Sequence, residues 1–402
     1  MDYSTFFDNA LQGLKSEGRY RYFLNIKRLC GDFPYALYQK GDVSQKIVVW
    51  CGNDYLGMGQ HEEVVQAMHT AIDSFGVGSG GTRNISGTTA AHVALEAELA
   101  ELHQKESALV FTSGYVANEA ALNTLASHLP NCVVISDENN HASIIQGIRN
   151  SRAEKIIFRH NDVAHLRQIL EHLPYERPKI VVFESIYSMD GDIGHIKEIC
   201  ALAREFNAIT YLDEVHGVGM YGPTGAGVAE ERGLQNEVDI IQGTLGKAFG
   251  LIGGYVAGNR RIIDFIRSFA SGFIFTTSLP PAVCAAAKTS VHYLRHHGEL
   301  RERHQRNVML VKQKLQQYSI PFMDNESHIV PVMVKGAQRC KNIADRLLED
   351  YNIYVQPINY PTVPKGYERL RVTPSALHTE EMIDQLVGAL QQIFHLDDRV
   401  AA

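Results

Sequence analysis

The sequence predicts an α/β fold, with a large doubly wound, mainly parallel sheet followed by a smaller C-terminal α+β domain. From about residue 60 onward, short apolar runs alternate with segments of helical periodicity, as in parallel sheets buried on both faces. After Pro281 the pattern changes to long, charged helices and a few short strands. We therefore expect an N-terminal arm at 1–49, a large α/β domain at 50–290 and a C-terminal domain at 291–402.

The individual elements follow from the spacing of apolar residues. The N-terminal 49 residues are expected to form a helical arm and a short strand, and helical spacing then predicts helices at 61–75 and 88–103. Short apolar runs predict buried strands at 108–111, 132–135, 156–158, 180–183, 209–212, 240–241 and 254–257. Crossover helices are predicted at 117–127, 163–172 and 196–206. The C-terminal region is predicted to contain helices at 281–297, 300–318 and 379–394 and strands near 330–334 and 354–356.

Composition and charge exclude several classes of protein. The chain of 402 residues has 38 Lys and Arg against 45 Asp and Glu, so it lacks the basic excess of a nucleic-acid-binding protein. The six cysteines show no CxxC spacing, and the N-terminus is acidic before its first lysine, which argues against a targeting peptide. The uncharged stretch 268–287 contains Pro280 and Pro281 and several hydroxyl groups, so we interpret it as a buried loop and helix start. We therefore expect a cytoplasmic protein of bacterial type with no nucleic-acid or membrane partner.

Small and polar residues follow the predicted strands at their carboxyl ends, where open α/β sheets bind ligands. Ser113, Gly114 and Tyr115 enter a helix, and a helix N-terminus of small residues is a natural phosphate site. Lys247 lies among small residues with no acid nearby, where burial lowers the pKa of an amine towards nucleophilicity. The other strand ends carry His141, Ser188, Asp213 and His216.

This combination predicts pyridoxal phosphate (PLP) as the cofactor. PLP needs a lysine for covalent attachment, a carboxylate that keeps its ring nitrogen protonated, a phosphate site and a flat side chain over the ring. Each residue alone has a more common structural interpretation, because an Asp at a strand end is often a turn or cap residue and a single His is often structural. It is their occurrence at successive strand ends that favours the cofactor site.

The motifs resemble those of the α-oxoamine synthases, fold-type-I PLP enzymes that join an amino acid to an acyl-CoA with loss of CO2. The resemblance begins with Asp213-Glu214-Val215-His216 and with Lys247 in Gly-Thr-Leu-Gly-Lys-Ala. The stretches 51–57, 78–88 and 354–362 are similar to the branch that condenses glycine with succinyl-CoA, and the similarity extends nearly end to end. It implies a fold-type-I transferase that forms 5-aminolevulinate, CoA and CO2, the first step of one route to tetrapyrroles.

The resemblance also implies roles around the cofactor. Lys247 would hold PLP and later remove an α-proton from glycine, and Asp213 would pair with the ring nitrogen. His216 would bond the phenolic oxygen, while His141 would stack on the ring. The phosphate would contact Ser113, Gly114, Tyr115 and Thr244, with Thr276 and Thr277 contributed by the neighbouring subunit of a homodimer, and Ser188 would complete the cofactor site.

Substrate roles follow from the same resemblance. Arg371 would bind the glycine carboxylate, assisted by Asn53 and Ser188, because a guanidinium suits a carboxylate. Arg21 would bind the far carboxylate of succinyl-CoA; without the resemblance it would be interpreted as a surface charge. Asn84 and Thr362 would hydrogen-bond the same carboxylate, beside Thr82.

Alternative functions remain open at this point. The sister enzymes 2-amino-3-ketobutyrate CoA ligase and 8-amino-7-oxononanoate synthase would keep Lys247, Asp213 and Arg371 but would need no Arg21 site. A non-catalytic partner subunit would be expected to lack the lysine. The glycine-rich stretch 76–81 matches a dinucleotide motif formally, but a predicted helix precedes it where a strand is required. No metal site is predicted.

Overall fold

The computed structural model describes residues 1–401, with side chains up to residue 396, and divides into two compact units. The first unit combines residues 1–57, 189–191 and the chain from 302 onward. The second comprises residues 58–188 and 192–301. The N-terminal segment thus groups with the C-terminal region, and the domain boundaries drawn from the sequence at residues 49 and 290 stay a prediction.

The elements are numbered along the chain. The strands are β1 (Ile26–Arg28), β2 (Tyr35–Lys40), β3 (Val43–Val49), β4 (Ser107–Phe111), β5 (Val133–Asp137), β6 (Glu154–Phe158), β7 (Lys179–Glu184), β8 (Ile209–Asp213), β9 (Ile240–Thr244), β10 (Gly254–Gly258), β11 (Val330–Met333), β12 (Ile353–Tyr354), β13 (Pro357–Ile358) and β14 (Arg369–Val372). The helices are α1 (Tyr3–Ser16), α2 (Glu62–Phe75), α3 (Ala90–Leu102), α4 (Gly114–His128), α5 (Ala142–Ser151), α6 (Val163–Glu171), α7 (Ile196–Glu205), α8 (Val228–Glu231), α9 (Arg260–Phe269), α10 (Ser271–Ile274), α11 (Pro281–His296), α12 (Glu299–Gln317), α13 (Ala337–Tyr351) and α14 (Glu380–Ala401).

A seven-stranded sheet in the order β4-β10-β9-β8-β7-β5-β6 forms the centre of the second unit. The neighbours from β9 to β6 are parallel, and β10 runs antiparallel to both β4 and β9. Strands β5, β7 and β9 are buried along their whole length, which explains the apolar runs 133–135, 180–183 and 240–241 within them. The prediction of a doubly wound, mainly parallel sheet is confirmed.

Two local predictions for this unit are wrong. Strand β6 lies at the edge of the sheet with Ile157 exposed, so it is not buried on both faces as its short apolar run suggested. In the uncharged stretch 268–287, Phe275 is 81% exposed and Thr277 is also exposed, so this loop is only partly buried. Hydroxyl and apolar content alone did not distinguish a buried loop from an exposed one. Among the helices of residues 1–401, none is both long and apolar enough to cross a membrane.

The first unit contains two smaller sheets, β1-β2-β3-β12 and β11-β14-β13. Strands β1 to β3 form an antiparallel meander in which Lys40 pairs with Val43 across a tight turn, and Gly41 adopts the positive φ of 62° that this turn requires. The expected single short strand was wrong because β2 and β3 are half-exposed and mix apolar with polar residues. Strand β3 pairs in parallel with β12, so the N-terminal and C-terminal parts of the chain share one sheet.

Trp50 and His378 stack in the core of the first unit, with ring centroids 3.7 Å apart. His378 Nδ1 accepts the backbone N–H of Ser375 (2.8 Å), and Nε2 lies 3.1 Å from the carbonyl oxygen of Val49. These partners suit a neutral ring that donates from Nε2. Burial lowers the pKa of His378 to about 3, so the ring stays neutral in the folded protein.

Acid is therefore expected to destabilise the protein partly through His378. An unfolded histidine becomes protonated near pH 6.5, whereas the folded one resists protonation until about pH 3. The neutral ring makes its full contribution to the free energy of unfolding above pH 6.5. This contribution decreases as the pH drops, by at most about 2 kcal/mol at pH 5. We expect the loss of thermal stability between pH 7.5 and 5.5 to be smaller in His378→Gln than in the wild type. Parallel pH profiles of Tm would contradict this assignment.

Candidate active site

Asp213 ends β8 as a buried carboxylate with two hydrogen-bond donors. Asn118 Nδ2 donates to Asp213 Oδ2 (2.7 Å), and the backbone N–H of Val215 donates to Oδ1 (2.8 Å). Tyr211 Oη in turn donates to Asn118 Oδ1 (2.9 Å), which fixes the orientation of the amide. Burial raises the pKa of Asp213, while Asn118, His141 and Lys247 act in the opposite direction. The result is a carboxylate positioned to pair with a cationic or protonated group of a ligand.

Lys247 lies in a compact turn that follows β9. Thr244 Oγ1 accepts the N–H of Gly246 (3.1 Å) and donates to the carbonyl oxygen of Gly253 (3.0 Å). The N–H of Gly250 donates to the carbonyl oxygen of Lys247 (2.8 Å), which closes the turn. Because Lys247 alters the pKa of both Asp213 and His141, its ammonium group lies within electrostatic range of both residues. The structure thus brings together three of the predicted site residues.

His141 is the N-cap residue of α5, and its backbone is hydrogen-bonded to the buried Glu184. Its backbone N–H donates to Glu184 Oε1 (2.5 Å), and its Nδ1 lies 2.7 Å from Ser143 Oγ. Glu184 pairs with Asp213 across strands β7 and β8. Burial and the neighbouring Asp213 raise the pKa of Glu184 well above its usual value. His141 itself is exposed, so its ring is accessible to a ligand.

The N-terminus of α4 lies close to the end of β9. Ser113 is the N-cap residue, and its Oγ accepts the N–H of Val116 (3.1 Å). A Cβ at Gly114 would lie 3.3 Å from Thr244 Oγ1, so the helix start and the hydroxyl group are in close contact. Tyr115 is exposed. A 15-residue helix whose N-terminus meets a hydroxyl group suits a phosphate.

Together these residues fit PLP. The helix N-terminus offers a place for the phosphate, Lys247 an amine for covalent attachment, and the buried Asp213 a partner for the ring nitrogen. His216, 6% exposed, lies three residues beyond Asp213, where it was expected to bond the phenolic oxygen. Among the described residues, no group of three or more His, Cys, Asp or Glu side chains could hold a metal ion.

The loop before α3 carries two of the predicted substrate residues. Thr82 Oγ1 donates to Asn84 Oδ1 (2.6 Å), and Thr82 forms an isolated antiparallel bridge with Thr277. A Cβ at Gly87 would collide with the carbonyl oxygens of Gly81 and Thr82, so this position requires glycine. Thr276 is half-buried and Thr277 is exposed in this unit. Ser188, also in the second unit, is half-buried.

The remaining substrate residues belong to the first unit. Arg371 lies on β14, is almost fully buried, and its Nη2 lies 3.5 Å from Tyr55 Oη. Asn53 is exposed. Arg21 Nη2 donates to Thr362 Oγ1 (3.2 Å) although the two residues are 341 positions apart. The structure thus brings together two exposed residues that were both predicted for the acyl carboxylate.

Two residues of the site were missed by sequence reasoning. Asn118 holds Asp213 from within α4, and Glu184 holds the backbone of His141. A signal existed for Asn118, since it is an amide among the apolar residues of a helix that packs on the sheet. Glu184 directly follows an apolar strand, but its partner could be identified only from the register between β7 and β8.

Comparisons with known proteins agree with this geometry. Residues 45–390 match the family model described as aminotransferase class I and II. The chain is 57% identical to 5-aminolevulinate synthase 1 of Cereibacter sphaeroides and to 5-aminolevulinate synthase of Paracoccus denitrificans, in each case covering 98% of this chain and 97% of the relative. A solved structure of SPT with a PLP internal aldimine aligns with a TM-score of 0.92 at 32% identity, covering 98% of this chain and 99% of that one.

These findings confirm the resemblance and the fold type that the motifs predicted. The similarity covers both units, and the fold agrees with that of the SPT structure over nearly its whole length. More than half of all residues are identical over nearly the full length of the chain. This similarity identifies the 5-aminolevulinate synthase branch as well as the wider family. The chain belongs to the 5-aminolevulinate synthase family, within the class I and II aminotransferases.

Proposed function

We propose that the protein is a PLP-dependent 5-aminolevulinate synthase, which condenses glycine with succinyl-CoA to 5-aminolevulinate, CoA and CO2. The observation that carries the proposal is the 57% identity to a 5-aminolevulinate synthase over 98% of the chain. The grouping of Lys247, Asp213 and His141 in one site supports it, since a non-catalytic partner subunit would not need the lysine.

The cofactor is held by residues of the second unit. Lys247 would provide the covalent attachment, Asp213 the partner of the ring nitrogen and His216 the donor to the phenolic oxygen. When bound, PLP supplies an electron sink for the negative charge that develops on the substrate carbon. The phosphate is held by residues at the start of α4 and after β9, namely Ser113, Gly114, Tyr115 and Thr244.

Proton transfer is assigned to Lys247. The Lys247 amine would remove an α-proton from glycine, and its conjugate acid would later return one. The negative charge of Asp213 would keep a proton on the ring nitrogen, and the bonds from Asn118 and Val215 hold the carboxylate in place. His141 would stack on the ring, and Glu184 fixes the backbone of His141.

Substrate carboxylates bind to arginines of the first unit. Arg371 binds the carboxylate of glycine, with Asn53 and Ser188 assisting, and Tyr55 Oη lies beside the guanidinium. Arg21 binds the distal carboxylate of the succinyl group, since it is exposed and already bonded to Thr362. Thr82 and Asn84 complete the acyl site, and their mutual hydrogen bond orients both side chains.

The Arg21 assignment predicts a selective defect. Arg21→Leu is expected to raise the KM for succinyl-CoA by about 10-fold to 100-fold, because loss of a hydrogen bond to a charged group costs about 1.5–3 kcal/mol. The KM for glycine should stay within about twofold of the wild type, since Arg371 is untouched. Steady-state kinetics with each substrate varied in turn measure both constants. Arg28→Leu, at an exposed position in the same arm, is the control. Equal increases in both KM values would exclude Arg21 from the acyl site.

A direct assay tests the overall proposal. The purified protein is incubated with PLP, glycine and succinyl-CoA, acetyl-CoA or longer acyl-CoAs, and the release of CoA and of the aminoketone is measured. We expect succinyl-CoA to give the highest kcat/KM and 5-aminolevulinate to be the product. A preference for acetyl-CoA would indicate 2-amino-3-ketobutyrate CoA ligase activity, and turnover of alanine with a pimeloyl donor would indicate 8-amino-7-oxononanoate synthase activity.

We further propose a homodimer in which Thr276 and Thr277 reach the cofactor phosphate of the other subunit. Large exposed apolar residues support an interface on the second unit, since Val77, Ile85 and Phe275 are 68–81% exposed. Light scattering should give about twice the chain mass of 44.8 kDa. Mixing inactive Lys247→Ala with inactive Thr276→Ala/Thr277→Ala should then restore part of the activity. A monomer with full activity would contradict the shared site.

A further inference from the structure

Three loops at the carboxyl edge of the main sheet meet at His160, a residue without a role in the proposed function. His160 Nδ1 lies 2.8 Å from Asp137 Oδ1, and Nε2 lies 2.7 Å from Asp192 Oδ2. The next residue, Asn161, donates its backbone N–H to Asp137 Oδ2 (3.0 Å) and its Nδ2 to Asp192 Oδ2 (2.7 Å). Segments that follow β5, β6 and β7 are thus joined through one imidazole and one amide.

The ring of His160 is held as an imidazolium. Both ring nitrogens face carboxylate oxygens, and only the doubly protonated ring can donate to both. The two carboxylates raise the pKa of His160 to about 10, despite partial burial, so the ring is charged at neutral pH. The other charged groups nearby are Glu138, which lies 3.5 Å from the backbone nitrogen of His160, and Arg159, which is paired with Asp162.

One carboxylate of this cluster fixes the loop that carries His141. Asp137 is the last residue of β5, and its Oδ1 also accepts the N–H of Asn139 (2.8 Å). Asn140 then donates through Nδ2 to the carbonyl oxygen of Val182 (2.8 Å). His141 follows directly, so its position depends on a chain of bonds that starts at Asp137.

The other carboxylate belongs to the segment that follows Ser188. The carbonyl oxygen of Asp192 accepts the N–H of Tyr187 (3.1 Å), and the Tyr187 ring packs edge-on against His160 at 4.4 Å. Ser188 is the next residue in the chain. His160 therefore contacts both segments that carry proposed ligand contacts.

We propose that His160 is a positioning residue for the reaction, which clamps the His141 loop to the Ser188 segment through Asp137 and Asp192. The inference rests on the proposed function, because that function makes His141 and Ser188 contact residues for cofactor and substrate. Without the cation, two carboxylates that face the same space would repel, and the segments would separate. The ring plane of His141 and the hydroxyl of Ser188 would then lose their fixed placement, which is what precise substrate orientation depends on.

The test compares His160→Gln with His172→Gln. Glutamine can still donate from its amide but carries no charge, and His172 is an exposed residue whose ring Nδ1 lies beside the carbonyl oxygen of Gln168, one turn earlier in the chain. Hydrogen–deuterium exchange on the PLP-free protein is expected to accelerate in His160→Gln within residues 138–145 and, together with them, 186–193. The dissociation constant for PLP, measured by absorbance titration, should rise about tenfold, and kcat should fall more than the KM for succinyl-CoA rises. His172→Gln should match the wild type in all of these.

Asp192→Asn provides a second variant that keeps the side-chain shape and removes one charge. It should accelerate exchange in the same two segments to a smaller degree. If His160→Gln fails to fold, Asp192→Asn replaces it as the test variant. The proposal is overturned if exchange changes in neither or only one segment, or if PLP affinity and kcat stay within twofold of the wild type. Hydrogen–deuterium exchange and PLP affinity do not depend on turnover. They therefore test the positioning role of His160 even if the protein does not make 5-aminolevulinate.

Discussion

Replacing Lys247 with alanine is expected to lower kcat by about a thousandfold or more, because the variant loses both the covalent attachment of PLP and the proposed base. The absorbance band of the covalently bound cofactor near the edge of the visible range should disappear as well. The fold should survive, since the turn that carries Lys247 is closed by bonds of the Thr244 hydroxyl group to Gly246 and Gly253 and by the backbone bond from Gly250, none of which uses the lysine side chain. Absorbance spectra, circular dichroism and a 5-aminolevulinate assay measure these three outcomes.

The control for this variant is Lys197→Ala, in the exposed first turn of α7. It removes a lysine from the same unit without touching the site, so its spectrum and kcat should equal those of the wild type. If Lys247→Ala retained the absorbance band and at least a tenth of the activity, the attachment and base roles would both be wrong.

Asp213→Asn is expected to lower the activity of the enzyme without a matching loss of stability. The substitution keeps the shape of the side chain but removes the charge that holds a proton on the ring nitrogen, so kcat should fall by about a hundredfold or more. Burial raises the pKa of Asp213, which means that the folded protein bears a cost for the charged form. The neutral amide removes that cost, although its NH2 group then faces one of the two donors, Asn118 Nδ2 or the N–H of Val215, so Tm at neutral pH should stay close to that of the wild type.

Asp239→Asn is the matched control, because Asp239 lies immediately before β9, at the opposite end of the same sheet. Its Oδ2 accepts from the backbone N–H and the hydroxyl group of Thr210 (2.8 and 2.9 Å). Its loss should reduce Tm and leave kcat close to the wild-type value. If Asp213→Asn lost stability as Asp239→Asn does and kept its kcat, Asp213 would be a structural residue only.

The main sheet and the cofactor side of the site could be predicted from the sequence. Strands β5, β7, β8 and β9 are short apolar runs because both faces are covered, and parallel strands bring their carboxyl ends to one edge. Residues at or just beyond the carboxyl ends of these strands, such as Asp213 and Lys247, are therefore close in space even though they are far apart in sequence. The branch of the family could be identified only from the resemblance of the motifs.

The supporting contacts could not be predicted in this way. Asn118, Glu184 and His160 act through partners on other elements, and those partners depend on strand register and helix rotation, which apolar periodicity does not specify. Strands β1 to β3 were missed because half-exposed strands mix polar and apolar residues. The edge position of β6 likewise depends on the order of the strands, which the length of an apolar run does not reveal.

The pairing of β3 with β12 also sets the order in which the protein can fold during synthesis. Residues 58–301 contain the whole second unit, so its sheet can form before the C-terminal region emerges from the ribosome. Strand β3 must wait for roughly 300 further residues, about 15–60 s at the usual 5–20 residues per second. During that interval one side of the N-terminal meander is an open strand edge, the kind of surface on which chains aggregate. Chains that end before β12 should therefore accumulate in the insoluble fraction, whereas loss of α1 alone leaves this pairing intact.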